Sequence, residues 1–409
     1  YRRQRQMCIR DRILAACGLN TPDCIRIGLD RPSAIGGFGH TRHSFQRAAA
    51  ERGEVKGDPF AVVAEAAPEF SDAEAIRLAR DYWGLEARVR PLVSERDQNF
   101  RLSCQDGNEY VLKIANAAEP PAVTEFQVAA LLHIAATVNA EGIPVAAPQV
   151  LRTLDGASTV TLESGQGVHT TRVVSFLKGA PLGERIASAT LARNMGRYLA
   201  NLGLALKGFR HAASGQSLLW DLQQALALRD LVRYVAEPAA AQAVNDALDD
   251  FERFALPVLP SLRAQVIHSD MNPDNLLVDA EDPDVVAGII DFGDMLHAPL
   301  VADVAIASAY LRPASGDPVA LIAEFVAGYH GVVALETVEL EILFELIQAR
   351  VCASIAILDW RGATRDGNDP YLAGHSTGEG SAHHFLQRLR EVPRTHARQV
   401  FTQVCASAG

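Results

Sequence analysis

From Ser71 onward the hydrophobic positions take up a helical period. Ser71-Asp72-Ala73-Glu74 has the form of a capping box, in which the Ser side chain caps the helix and the Glu reaches back. Ile76, Ala79 and Trp83 then recur on one face, and Gly84 supplies a stop. Beyond it the pattern becomes that of strands, at 89–93, 100–104 and 109–114. Gln105-Asp106-Gly107-Asn108 reads as the turn of a hairpin, because Asp-Gly tolerates the positive φ such turns need. The returning strand carries Lys113. Pro120 and Pro121 open a helix whose Val123, Phe126, Ala130 and Ile134 share one face, with Glu125 beside them in the first turns. Further strands are expected over 149–153, 158–163 and 171–176, giving a sheet of about five strands with one inserted helix.

At Lys178-Gly179-Ala180-Pro181, which reads as a hinge, the character changes. Residues 190–208, 221–236, 239–256, 319–332 and 336–359 are long and helix-patterned, and a short block of different texture, 264–312, sits among them. The expectation is an α+β chain of two lobes: a small β-rich lobe over 69–176 and a larger, mainly helical lobe over 177–409. Residues 1–68 are rich in Gly, Arg and Ala without a sustained period, and their first dozen are basic and joined to nothing recognisable. They are expected to be a disordered tail or a non-native extension.

Composition narrows the function classes. The net charge of −11 makes a broad nucleic-acid surface unexpected, because phosphate backbones need clustered Lys and Arg. A nucleotide site needs only one or two local cations plus metal. Six cysteines, at 8, 17, 24, 104, 352 and 405, form no C-x-x-C pair and read as reduced thiols of a cytoplasmic protein. No apolar run approaches the roughly 18–20 residues that span a bilayer, so no membrane partner is expected.

The chemistry concentrates in His268-Ser269-Asp270-Met271-Asn272-Pro273-Asp274-Asn275, between the apolar Val266-Ile267 and Leu276-Leu277-Val278. Phosphoryl transfer needs a carboxylate to accept the proton of the attacking hydroxyl and a neutral oxygen ligand nearby to hold a metal. Asp270 and Asn275 lie on one turn that can aim both side chains at one point. Gly288-Ile289-Ile290-Asp291-Phe292-Gly293-Asp294 follows. There Asp291, at the end of an apolar strand and before a Gly turn, suits a hard cation. Lys113, inside an apolar strand, must find an anion, either Glu125 on the next helix or nucleotide phosphates. Between the first two strands, 94–100 contains no glycine, although Ser94 and Asn99 could help backbone N–H groups cradle phosphate.

In this order, Lys113, Glu125, the H-x-D-x-x-x-x-N loop and I-D-F-G-D resemble the aminoglycoside phosphotransferase/choline kinase superfamily over about 69–395. Within it the likeness is greatest to hydroxylysine kinase and its bacterial relatives, through Arg96-Asp97-Gln98-Asn99-Phe100, Val111-Leu112-Lys113-Ile114, Leu219-Trp220-Asp221-Leu222 and Ile290-Asp291-Phe292-Gly293-Asp294-Met295. The resemblance implies a bilobal protein-kinase-like fold. It implies Asp270 as catalytic base, Asn275 and Asp291 as Mg2+ ligands, Lys113 on the nucleotide phosphates and Glu125 as its ion-pair partner. Val174, Phe176 and Leu177 match the hinge that holds the purine. His268 is expected to order the loop through a hydrogen bond to backbone, and Asp303 to cap a helix.

The donor is expected to be ATP or GTP, with the hydroxylysine kinase likeness implying GTP. The acceptor is expected to be an amino alcohol, foremost 5-hydroxylysine. Homoserine, choline or ethanolamine, methylthioribose and an aminoglycoside are the alternatives, and a non-catalytic nucleotide-binding module is the reading from another class. Asp294, Asp221, Asp359 and Glu345 are candidates for the acceptor's ammonium groups, with Trp220 and Trp360 as possible cation–π partners. Arg350 or Arg361 is the candidate for a carboxylate. The chain is expected to be a monomer or homodimer.

Overall fold

The computed structural model describes residues 67–94, 96–183, 185, 187–364 and 380–408. The expectation of a tail over 1–68 falls almost wholly outside them.

The first lobe is built on a six-stranded antiparallel sheet. Its strands are β1 (Ala87–Leu92), β2 (Gln98–Cys104), β3 (Glu109–Ile114), β4 (Val150–Leu151), β5 (Val160–Ser164) and β6 (Gly167–Ser175). The order is β1-β2-β3-β6-β4, with β5 also pairing β6. Each of the six strand segments read from the sequence is present, in a sheet expected to hold about five, and β6 carries both β5 and β4 as partners along its length. Strand alternation divides its faces. Phe100, Leu102, Leu112, Ile114 and Val173 point to one side, where Ala75, Ala79 and Trp83 of α1 (Asp72–Trp83) close a small core. The capping box is present, with Ser71 Oγ accepting from the Glu74 amide. Ile76, expected on the buried face, is instead 39% exposed; Ala75 takes that place.

The opposite face carries Asn99, Lys113 and Arg172 in one register row. Helix α2 (Pro121–Glu141) packs through Val123, Phe126, Ala130, Leu131 and Ile134. By length and composition α2 could cross a membrane, contrary to the expectation that no run reaches that length. It lies against protein, and two of its residues, Phe126 and Ala130, are fully buried in the main core.

The second lobe contains α3 (Ala189–Ala205), α4 (Pro238–Asp250), α5 (Leu300–Ser308), α6 (Ala320–His330), α7 (Thr337–Thr364), α8 (Ala382–Glu391) and α9 (Arg394–Ala408). Around these helices lies one large apolar core. Helices α3 and α6 cross almost backbone to backbone: a Cβ on Gly196 would run into the Phe325 carbonyl, and one on Gly328 into that of Arg193. Residues 222–234, expected as an α-helix, wind more tightly as 3-10 turns with a break at Gln224, because Asp221 holds the backbone at its start. Helices α8 and α9 were not expected, since their polar, Arg- and His-containing faces mask short apolar stripes such as Phe385, Leu386 and Leu389.

Four short strands lie at the lobe boundary: β7 (Ala180–Pro181), β8 (Ala264–Ile267), β9 (Leu276–Val278) and β10 (Val286–Ile289), with β11 (Leu296–Pro299) beyond. β9 pairs with β7 and β10, and β11 with β8. The segment expected as a hinge is therefore tied into the second lobe, and the loops leaving β8 and β10 open at one place.

Candidate active site

The loop after β8 is held by its own amides. Asn272 accepts from the Asp274 and Asn275 amides at 2.9 and 3.0 Å, and its Nδ2 donates to Asp270 Oδ2 at 2.9 Å. Asn275 Nδ2 donates to the same oxygen at 2.7 Å and to the Asp270 carbonyl at 3.1 Å. The turn requires Ser269 at φ 65°, a left-handed conformation that costs a non-glycine residue about 1 kcal/mol or more. Asp303 offsets that strain. Its carboxylate accepts from the Ser269 amide at 2.9 Å and the His268 amide at 3.2 Å. Asp303 is thus no helix cap: α5 is entered through Pro299 without a side-chain cap. Burial raises its pKa to about 6 against these two hydrogen bonds.

His268 is fully buried and accepts the Asp270 amide at Nδ1, 3.3 Å away. Its ring meets Phe292 edge-to-face at 4.8 Å, and burial lowers its pKa to about 4, so it is neutral at pH 7. The site loops are joined there.

Asp291 ends the second loop, also left-handed at φ 63°. The Ile290 amide donates to the Asn275 carbonyl at 2.9 Å, which sets Asp291 beside Asn275. Asp291 Oδ1 accepts from the Gly293 amide at 3.2 Å and faces Lys113 Nζ at 3.9 Å. Lys113, with Arg96 and that amide assisting, holds the Asp291 pKa down at about 2 despite desolvation. Gln216 braces the turn from below, donating to the Gly293 and Met295 carbonyls. A side chain at 293 would press on both Arg96 and Asp291, each 3.1 Å from a Cβ there.

Asp270 is raised well above an ordinary carboxylate by burial and by Asp294 and Asp291, with Arg350 and Asn272 opposing. Arg350 approaches its Oδ1 at 3.4 Å. Asp294 is 7% exposed and bound by Arg96 at 2.9 Å. Arg96 comes from the β1–β2 connection, so this ion pair joins the two lobes. Arg96 lies in a segment that carries the family likeness, and its only local signal is a cation beside a phosphate-type loop.

Other candidates fall elsewhere. Glu125 is exposed on α2 and makes no ion pair with Lys113, so the expected pair is corrected. Helix α2 reaches the Lys113 row through Gln127, which accepts from Arg172. Ser94 is half-buried in the β1–β2 connection, and Asn99 sits beside Lys113 with a buried Oδ1 that lacks a partner. Val174 is buried in β6, while Phe176 donates its amide to Glu109 and lies under the Arg101 guanidinium at 4.1 Å. Leu177 crowds Gly288 against β10. Trp220 lies 5.9 Å from Arg96.

Asp221 receives hydrogen bonds from Gln223 and Gln224 as a helix cap, which corrects its reading as an acceptor residue. Glu345 pairs with Arg394 at 2.6 Å and Asp359 with His383 at 3.0 Å; both fasten the last two helices. Trp360 is buried in the main core.

A carboxylate between two amides, a second carboxylate beside a lysine, and an opening between two lobes are what phosphoryl transfer to an alcohol requires. The model of the phosphotransferase enzyme family matches residues 88–340, more than half of the chain. The chain belongs to this family. This phosphotransferase acts on an alcohol group, and its fold is the bilobal protein-kinase-like one. It is 29% identical to the hydroxylysine kinase of Mus musculus over 331 residues, covering 76% of this chain and 87% of that one. It is 27% identical to that of Danio rerio over 353 residues, covering 83% and 97%. Among solved structures it is similar to a microcompartment-associated aminopropanol kinase, with TM-score 0.57, 18% identity and coverage of 82% and 96%. An amicoumacin kinase solved in complex with AMP-PNP, Ca2+ and Ami gives 0.57 at 13% identity, covering 80% and 95%.

Proposed function

We propose that this phosphotransferase moves the γ-phosphoryl group of a purine nucleoside triphosphate to the hydroxyl of an amino alcohol, with 5-hydroxylysine as the acceptor. One observation carries the chemical part. Asp270 is held by Asn272 and Asn275, and Asp291 stands beside Asn275 while facing Lys113 across the lobe boundary. The acceptor part is supported by the relatives named hydroxylysine kinase.

Asp270 is the base. The acceptor hydroxyl passes its proton to this carboxylate as its oxygen attacks the γ-phosphorus. The bond from that phosphorus to the β–γ bridging oxygen breaks, and the nucleoside diphosphate leaves with the bond's electron pair. Asn275 Nδ2 is spent on Asp270, which leaves Oδ1 for a cation, and Asp291 Oδ2 lies free of protein donors. This all-oxygen pair, with substrate phosphates, suits Mg2+, which when bound would neutralise phosphate charge. In this reading Lys113 meets the phosphates, and Val174, Phe176 and Leu177 hold the purine. Either ATP or GTP would serve as the donor.

The test is nucleoside diphosphate release from ATP and GTP with 5-hydroxylysine, homoserine, ethanolamine, choline, methylthioribose and an aminoglycoside. 5-Hydroxylysine is expected to give the highest kcat/KM. Asp270→Asn should lower kcat by about 10²–10⁴-fold, the worth of a general base, while nucleotide still binds. Turnover that survives this substitution rules out Asp270 as the base; silence toward 5-hydroxylysine with turnover of another acceptor rules out the named acceptor.

A further inference from the structure

Asp270 is approached by a cation that the proposed transfer of phosphate does not use. Arg350, on α7, is 6% exposed. Its terminal nitrogen donates to the Tyr310 hydroxyl at 2.9 Å and reaches Asp270 only at 3.4 Å, long for a charge-assisted hydrogen bond. Its Nε is buried without a partner. Arg312 follows α5 and lies against the other end of this cluster. Its Nε donates to the Ala309 carbonyl at 2.7 Å, and no carboxylate pairs with it among the described residues. The two guanidinium carbons are 5.6 and 5.2 Å from the centre of the same Tyr310 ring.

The charges do not balance. Burial and the neighbouring Arg350 both press the Arg312 pKa down, which is the mark of a cation lacking its anion. The acidic groups here are Asp270, which is committed to the acceptor's proton, and Asp294, which Arg96 already binds. Two cations around one phenol, Arg350 buried and Arg312 half-buried, are costly unless an anion joins them. That anion would meet two guanidinium forks and a hydroxyl whose oxygen already accepts from Arg350, so that its O–H is turned toward an acceptor. The nucleotide phosphates already have their cation in the reading above, since Lys113 faces Asp291.

We infer that Arg312, Arg350 and Tyr310 form a carboxylate subsite beside the catalytic base, which makes this phosphotransferase selective for hydroxy-amino acids over amino alcohols that lack the carboxyl group. The inference rests on the acceptor class proposed above and goes further, because it assigns the group that separates 5-hydroxylysine from an aminopropanol. In 5-hydroxylysine the carboxyl carbon is four carbons from the one bearing the hydroxyl, so a hydroxyl at Asp270 leaves the carboxylate free to meet a separate group of cations.

Matched acceptor pairs test it: 5-hydroxylysine with its decarboxylated diamine, homoserine with aminopropanol, and serine with ethanolamine. Binding to the intact chain is measured by calorimetry, and KM and kcat where turnover occurs. In at least one pair the wild type should bind the carboxylated member tighter, on the order of tenfold to a hundredfold, as charge-assisted hydrogen bonds give. Arg312→Gln should collapse that ratio by raising KM rather than lowering kcat, and Arg312→Lys, which keeps the charge without the fork, should fall between. Thermal melting and nucleotide affinity establish that the variants fold. Wild type that binds both members of every pair alike, or binds no carboxylated member, overturns the subsite. So does an Arg312→Gln variant that keeps the ratio, weakens both members equally or weakens nucleotide instead. If Arg312→Gln does not fold, the wild-type ratios and Arg312→Lys decide. Carboxylate-dependent binding of homoserine with silence toward 5-hydroxylysine would remove the acceptor named above and support the subsite; carboxylate-blind turnover would leave the kinase and remove the subsite.

Discussion

Asp303 shows how much one side chain can carry without touching a reacting atom. It is 5% exposed and accepts two amides of the loop that presents Asp270. With a folded-state pKa raised to about 6 from an ordinary 3.8, the folded chain holds this proton more tightly than the unfolded one. The stability it contributes is therefore fully present below about pH 4 and is lost as pH rises through about 6. Asp303→Asn cannot titrate. The unfolding free energy of the wild type relative to this variant should fall by about 2 kcal/mol between pH 4 and pH 7, measured by urea titration at each pH. A difference that is flat or rises with pH would show that the carboxylate is not held at this raised value. Sequence alone placed Asp303 at a helix start and suggested a cap; nothing local reveals that its partners are 34 and 35 residues upstream.

At the scale of elements, α2 differs most from its expected role. The sheet row Asn99, Lys113, Arg172 faces this helix, yet the helix answers with Gln127 and leaves Glu125 outside. Position on the helix explains it: Val123, Phe126 and Ala130 fix the buried stripe, and Glu125 falls off it. Glu125→Gln should then leave kcat/KM for nucleotide within about twofold, as exposed substitutions do. Lys113→Met should reduce it by about a hundredfold in the same assay, since it removes a charged partner of Asp291 and of the phosphates. An equal loss in both variants would mean that the Lys–Glu pair forms once nucleotide binds.

At the scale of the whole molecule, two ion pairs among the described residues join the lobes at the site, Lys113 to Asp291 and Arg96 to Asp294. The second is the shorter and the less exposed, and it ties the glycine-free loop to the turn after Asp291. Losing a charged hydrogen bond of this kind costs roughly 1.5–3 kcal/mol, which corresponds to about 10–100-fold in local opening. Arg96→Gln and Asp294→Asn should each speed amide exchange around residues 96–99 by that factor. The double variant should add little to either, because the two residues share one interaction. Additive effects would show that the bridge does not hold the loop.

Elements whose signal is local were legible in the residues alone: the capped helix at Ser71, the Asp-Gly hairpin, and the two loops bearing Asp270, Asn275 and Asp291. Each is written in adjacent residues, by turn geometry or by the spacing of chemical groups. What faces what was decided only in three dimensions. Glu125 and Asp221 read as site residues until the helix stripe and the cap hydrogen bonds removed them. Arg312 and Tyr310 carried no motif, and Arg96 lay in one without a role, because their meaning lies in distances between segments far apart in the chain. Helices α8 and α9 were hidden for a related reason: their apolar stripes are narrow, and Glu345 and Asp359 on α7 supply the polar partners that seat them. Periodicity reports burial along one element, whereas electrostatic pairing depends on where the elements come to rest.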